Sequence, residues 1–282
     1  MRYPISKTIA ATAIAVVLFA GACTAAVPAV CHIALGWWNN PERMAALPEN
    51  AQLHHEDGGS DAARAVAELL PAAIARIEAI HGRHFAHPVT IGVYISDEAF
   101  AAANGSGDSK PAGMMFMGRV LLAPALFADQ RQRLSAILTH ELSHAHIRSW
   151  VSELTYMRLP HWFKEGLGVM VSRGGGAEGV SEHEAREAIL RGDRIAIESA
   201  GTLLNLRGVK FEHPAEPPNT SFRTQLAYRQ AGLFVAFLHG TDPAGFERMM
   251  NAILDGRSLT EAVKAGYGTD LQTLWSRFAH GA

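Results

Sequence analysis

Residues 135–150 read SAILTHELSHAHIRSW, and the HELSH at their centre constrains this chain more than any other stretch. In a helix, positions four apart lie on one face, one turn from each other. His140 and His144 therefore present two imidazoles to a common point, while the apolar residues of SAILTH bury the rest of the helix. Such a pair suits a divalent metal. Zinc takes nitrogen and carboxylate ligands in a tetrahedral set, and a catalytic zinc keeps three protein ligands and one open place. Glu141 is rotated about a quarter turn from the pair, poorly placed as third ligand but within reach of water in that open place. Its chemistry there is that of a general base for hydrolysis. The same short pattern also arises by chance on ordinary helices, so a third ligand has to decide.

One candidate pattern fails. An H-E-x-x-H-x-x-G-x-x-H metal site requires glycine and histidine where this chain has Ile147 and Trp150. A glutamate on a second helix is the other source. In LPHWFKEGLGVM, 20 residues separate Glu165 from His144. This stretch resembles the P-x-W-x-x-E-G pattern of the peptidase MA-like gluzincins, and more distantly the membrane alanyl aminopeptidase branch. The resemblance covers roughly 61–280 at family level. It implies that Glu165 is the third zinc ligand, that Trp162 packs the helix start, and that Gly166 lets helices approach closely. It also implies an oxyanion donor, a tyrosine in a Y-x-x-G context on a later helix. Tyr228 in LAYRQAGLFVAFL lies 63 residues beyond Glu165 with Ala231-Gly232 close behind, one residue longer than that pattern, although a packing tyrosine suits the place too. Tyr156 and His161 are the other candidates for this role. His146 and Arg148 lie off the ligand face and are expected to be structural or solvated. One departure matters: where thermolysin-type enzymes carry an aspartate that orients a zinc histidine, this chain has Val169, so that support must come from elsewhere.

The N-terminus has its own character. Arg2 and Lys7 precede a stretch from Thr8 to Pro41 that carries no Asp, Glu, Lys or Arg. Roughly 20 apolar residues cross a bilayer, whereas signal-peptide hydrophobic regions run to about 7–15. Residues 1–38 are thus expected to be either an uncleaved membrane anchor ending in Trp37-Trp38 or a signal cleaved near Ala20-Gly21-Ala22. Either form exports the remainder of the chain, facing the periplasm or cell exterior, or released there after cleavage. Cys23 after FAGA weakly resembles a lipoprotein box. Cys23 and Cys31 are the only cysteines, which leaves the exported part without a disulfide framework.

Residues 39–60 are polar and punctuated by Pro and Gly, and are expected to be a linker in which His54 and His55 are solvated. A helix is expected over 61–81, capped by Asp61 and kinked at Pro71, then a strand over 87–96 and a flexible loop over 103–113. A hairpin over 113–124 comes next, turning near Gly118. It stands where zincins pair their substrate strand, and its methionines suit either an adaptable cleft or plain core. Helices are expected over 131–149 and 159–172, and a third from a capping box at Ser181 and Glu184. After a Pro-rich loop over 205–222 come helices over 225–239, 243–255 and 259–279, the last broken at GYG.

Strands cluster early and helices late. The expected class is α+β, zincin-like, with a sheet lobe at about 61–149 and a helical lobe at about 150–282 around a metal cleft. A net charge of −2, with no basic run, gives no electrostatic case for nucleic acid. The combined expectation is a zinc-dependent peptidase outside the cytoplasm, acting on peptide or protein substrates and tethered to a membrane through its N-terminal segment. Its rivals are a zinc hydrolase of a non-peptide bond and an inactive, metal-stabilised binding or scaffold protein.

Overall fold

The structure is a computed structural model in which residues 28–201, 208–213 and 220–281 are described. The protein is α+β. Its sheet contains β1 (Ala45–Leu47), β2 (Asn50–His55), β3 (Ile91–Val93), β4 (Gly113–Phe116) and β5 (Arg119–Leu122), in the order β1-β2-β3-β5-β4. The inner pairs β2–β3 and β3–β5 are parallel, while β1 and β4 run antiparallel at the edges. Strands covered on both faces need apolar residues in succession, and β3 and β5 supply IGV and RVLL. Val120 and Leu122 face the main core together with Val66, Leu70 and Ile77 of α2 (Ser60–His81). Leu121 points the other way, into a small cluster with Tyr94 and Phe100. The β4–β5 hairpin turns at Met117 and Gly118, both at positive φ, as a two-residue turn matched to strand twist requires.

The region expected to be a linker is not one. Residues 45–55 form β1 and β2, and burial of Leu47 and Leu53 fixes them in the sheet. Strands this short show too little alternation to stand out in sequence. His54 and His55 are half-buried and lie against backbone carbonyls instead of being solvated. Glu56, in the same stretch, accepts hydrogen bonds from the Ile95 and Ser96 amides and from the Ser96 hydroxyl. The cap of α2 is Gly59, not Asp61, which instead pairs with Arg64 in the first turn; Pro71 stays within the helix. Of the expected 87–96 strand only Ile91–Val93 is strand, with Thr90 and Tyr94 adding one backbone hydrogen bond each to β5. Two short helices were not expected, α3 (Asp97–Ala103) and α5 (Glu153–Arg158), each capped by a serine, Ser96 or Ser152.

The motif helix is α4 (Leu134–Trp150). Beyond α5 come α6 (His161–Ser172), α7 (Glu182–Leu190), α8 (Thr220–Thr241), α9 (Pro243–Leu254), α10 (Leu259–Tyr267) and α11 (Leu271–His280), close to the expected ranges. The capping box at Ser181 and Glu184 is present, and Ser258 with Glu261 forms another. Phe234 of α8 gathers Trp162, Trp275 and Phe278 into an aromatic core. Nearest the N-terminus, α1 (Pro28–Trp38) packs on α3 at Gly36 and exposes Trp37 and Trp38. Among the described residues no helix is long and apolar enough to cross a membrane. Arg2, Lys7, Ala20 and Cys23 lie outside the described residues, as does the loop interior at 202–207 and 214–219.

The α6–α8 contact sets the position of Glu165. A Cβ on Gly166 would lie 2.6 Å from the Ala231 carbonyl oxygen, and one on Gly232 would lie 2.5 Å from Val169 Cγ1. Alanine normally favours a helix over glycine by roughly 0.5–1 kcal/mol. Here the contact reverses the sign. Gly166→Ala is expected to destabilise by about 1–3 kcal/mol through overpacking, whereas Gly240→Ala, with open space around its Cβ, should be neutral or mildly stabilising. Urea unfolding of both variants checks this; equal effects would show that the helices have room to part.

Candidate metal centre

Every residue of α4 from Ile137 to Ile147 is buried, and six of them are polar: Thr139, His140, Glu141, Ser143, His144 and His146. Buried polar groups require partners. The back of the helix satisfies its own. His146 Nε2 lies 2.9 Å from the Arg83 carbonyl oxygen and must donate to it. His146 Nδ1 therefore accepts from His81 Nδ1, 2.8 Å away, and His81 Nε2 accepts from the Ser143 hydroxyl at 3.3 Å. Burial, then the neighbouring imidazole, holds His81 well below the usual histidine range; burial likewise lowers His146. Both rings are neutral and structural. Arg148 pairs with Glu153 and ties α4 to α5.

The front of the helix is different in kind. His140 Nε2 lies 3.1 Å from His144 Nε2 and 3.3 Å from Glu165 Oε2, while His144 Nε2 lies 3.7 Å from Glu165 Oε1. All three groups are buried, and their ligand atoms fall within 4.8 Å of one another. Tetrahedral ligands held about 2.1 Å from an ion stand about 3.4 Å apart, so these separations fit one metal ion. The proton on His140 Nδ1 is committed to the Gly175 carbonyl oxygen at 2.8 Å, which leaves the neutral ring's Nε2 lone pair facing the cluster. Burial disfavours a charged His140, but the hydrogen bond to Glu165 and the Glu141 and Glu165 charges outweigh it and raise the group to about 9. Burial lowers His144 to about 3, and it also works against the Glu165 carboxylate, which the surrounding histidines hold far below its ordinary value.

Gly175 is the support for His140 that the sequence left unplaced, and its carbonyl takes the role a carboxylate could have filled. Its turn comes after Arg173, in left-handed conformation at the end of α6, and is flanked by Gly174 and Gly176 at positive φ. The Gly175 amide is held by Ser172 Oγ at 2.9 Å. No side chain marks this contact in sequence; the glycine run itself is the only signal. His144 Nδ1 has no hydrogen-bond partner among the described residues.

Glu141 lies beside the cluster under edge strand β4, where a Cβ on Gly113 would come within 2.9 Å of Glu141 Cγ. Burial lifts its carboxyl to about 7, with the Glu165 charge adding to the rise and His140 and the Met115 amide opposing it. Across the cleft, Tyr228 Oη lies 3.4 Å from His161 Nε2, which is 3.6 Å from Glu165 Oε1. Burial, then the Glu165 and Glu141 charges, keep the Tyr228 phenol protonated, and Tyr156 is held the same way. The sequence candidates His140, His144, Glu165, Glu141 and Tyr228 thus line one cleft of about 630 Å³, joined by Tyr156, His161 and Lys164. Lys164 had no marked role in sequence. No protein-family model, curated protein or solved structure matches this chain.

Gly168 backs the His140 ring, since a Cβ there would lie 2.8 Å from His140 Cε1 and 2.9 Å from its Nδ1 and Nε2. Gly168→Ala should therefore displace the imidazole and weaken metal affinity roughly 10- to 100-fold, the usual cost of disturbing a ligand's support. Competition with a chromophoric chelator measures this. Unaltered affinity would mean that the ring is free to move without loss.

Proposed function

We propose that this protein is a zinc-dependent peptidase of gluzincin type. The carrying observation is the buried His140–His144–Glu165 group with Glu141, itself buried, beside it in an open cleft. Two imidazoles and a carboxylate at tetrahedral spacing are a donor set suited to zinc, and three protein ligands leave one place for reactants. The bound ion would supply Lewis-acid polarisation and lower the pKa of water at the centre.

The residues do the rest. Glu141 is buried beside the three ligand residues and lines the cleft, where its carboxylate can exchange a proton with water in the open place. Glu141 takes a proton from the attacking water and hands it to the leaving amine, so the peptide C–N bond breaks after the new C–O bond has formed. Tyr228, a protonated phenol on the opposite wall, donates a hydrogen bond to the oxygen of the tetrahedral intermediate. His161 sits between Tyr228 and Glu165 and holds the phenol in place. β4, an edge strand that lines the cleft, offers backbone groups to an extended peptide.

The protein is proposed to work outside the cytoplasm, attached through residues 1–38. The charge asymmetry of that segment supports this, as do Trp37 and Trp38, exposed at the end of α1. Full-length protein should then sediment with membranes after cell lysis; recovery in the soluble cytoplasmic fraction would exclude it.

Two variants test the chemistry. Glu141→Gln should keep one zinc per chain and abolish hydrolysis, because it removes the base and no ligand. Tyr228→Phe should keep the zinc and lower kcat roughly 10²- to 10³-fold with KM little changed. Elemental analysis together with peptide-cleavage kinetics reads both. Full activity in Glu141→Gln would remove the proposed mechanism, and parent-like kinetics in Tyr228→Phe would pass the donor role to Tyr156 or His161.

A further inference from the structure

The cleft contains a cation that the proposed chemistry does not use. Lys164 precedes Glu165 on α6, and its side chain lines the same cleft. Its Nζ lies 4.5 Å from the centroid of the Tyr156 ring, which is itself buried. Among the described residues Lys164 forms no ion pair with a carboxylate. Of its two nearest acidic influences, Glu165 is engaged by histidines and Glu153 by Arg148. An ammonium partly withdrawn from water beside only a ring face is incompletely compensated. The lining charges point the same way. Among the described residues that line the cleft, only Glu141 and Glu165 are acidic, and both belong to the metal centre; the remaining charged residues, Lys110, Arg133 and Lys164, are cations. Arg133 is already paired with Glu178.

We propose that Lys164, held over the Tyr156 ring, anchors a carboxylate of the substrate in the metal-centre cleft. Lys164 is thus a specificity-determining residue, selecting peptides that bring a negative charge into the cleft. This inference rests on the peptidase function proposed above and names what the same cleft recognises. The carboxylate belongs either to the peptide's C-terminus or to an Asp or Glu side chain. The chemistry of recognition is the same, a charge-assisted hydrogen bond from the ammonium to an oxyanion.

The test uses the full-length, zinc-loaded protein and a set of N-acetylated peptides. Each peptide is made as C-terminal free acid and as amide, and with each internal Glu exchanged for Gln. Cleavage is read as kcat/KM, and binding is read separately by calorimetry on Glu141→Gln. One carboxylate-bearing series should be favoured at least about tenfold over its neutral counterpart, the size of one charge-assisted hydrogen bond. Lys164→Met should bring that ratio to within about twofold of one, and Lys164→Arg should retain most of it. Zinc content and melting temperature check that each variant is folded, and Lys164→Gln replaces the methionine variant if that one is not. Preference for free acids over amides assigns the anchor to the C-terminus; preference for Glu over Gln assigns it to a side chain. A parent that ignores charge in both series, or a preference that survives Lys164→Met, overturns the proposal. If no peptide is cleaved but the binding preference is present and lost in Lys164→Met, the peptidase function fails and the anchor stands. If peptides are cleaved without regard to charge, the anchor fails and the peptidase function stands.

Discussion

The structure depends on one helix being buried on two sides while carrying polar side chains on both. From Ile137 to Ile147 no residue of α4 reaches solvent freely, so every donor and acceptor there must be answered from within the protein. On the back, three groups close a chain that ends on the Arg83 carbonyl, and neutrality is complete. On the front, two imidazole nitrogens and a carboxylate face one point at 3.1–3.7 Å. Unprotonated, they direct lone pairs at each other in a poorly solvated place. A proton relieves this partly, as the raised His140 indicates. A divalent ion held by all three groups would relieve it further.

Much of the surrounding fold serves to hold that front face. Gly166 and Gly232 let α6 lie close against α8, which sets Glu165 opposite the imidazoles and brings Tyr228 to the facing wall. The turn at 174–176 returns a carbonyl to His140. β4 crosses Glu141 at Gly113 and forms one wall of the cleft. Sheet, motif helix and helical half meet at this one place, and each contributes a group that the others lack.

How much of this was legible in the sequence depends on the range over which each signal acts. His140, Glu141 and His144 share a helix, so the period alone brings them together, and the ranges of the late helices were legible for the same reason. Glu165 and Tyr228 came from a resemblance in spacing, and the structure does bring both into the cleft. β1 and β2 were hidden because strands of three and six residues carry too few alternations among histidines and asparagines to differ from a linker. α3 and α5 were hidden because seven and six residues hold less than two turns of pattern, although their capping serines were in view. The Gly175 carbonyl belongs to the backbone and has no letter of its own. Lys164 gains meaning only from Tyr156 lying beneath it.

On the proposed function, His140, His144 and Glu165, and no other side chains, would hold one zinc ion. X-ray absorption at the zinc edge of the purified, zinc-replete protein tests it most directly. Two imidazole nitrogens and one carboxylate oxygen at about 2.0–2.2 Å, with one light atom completing four-coordination, are the expected shell. A shell dominated by water oxygens, a shell with a single imidazole, or a spectrum unchanged by His144→Ala would contradict the account.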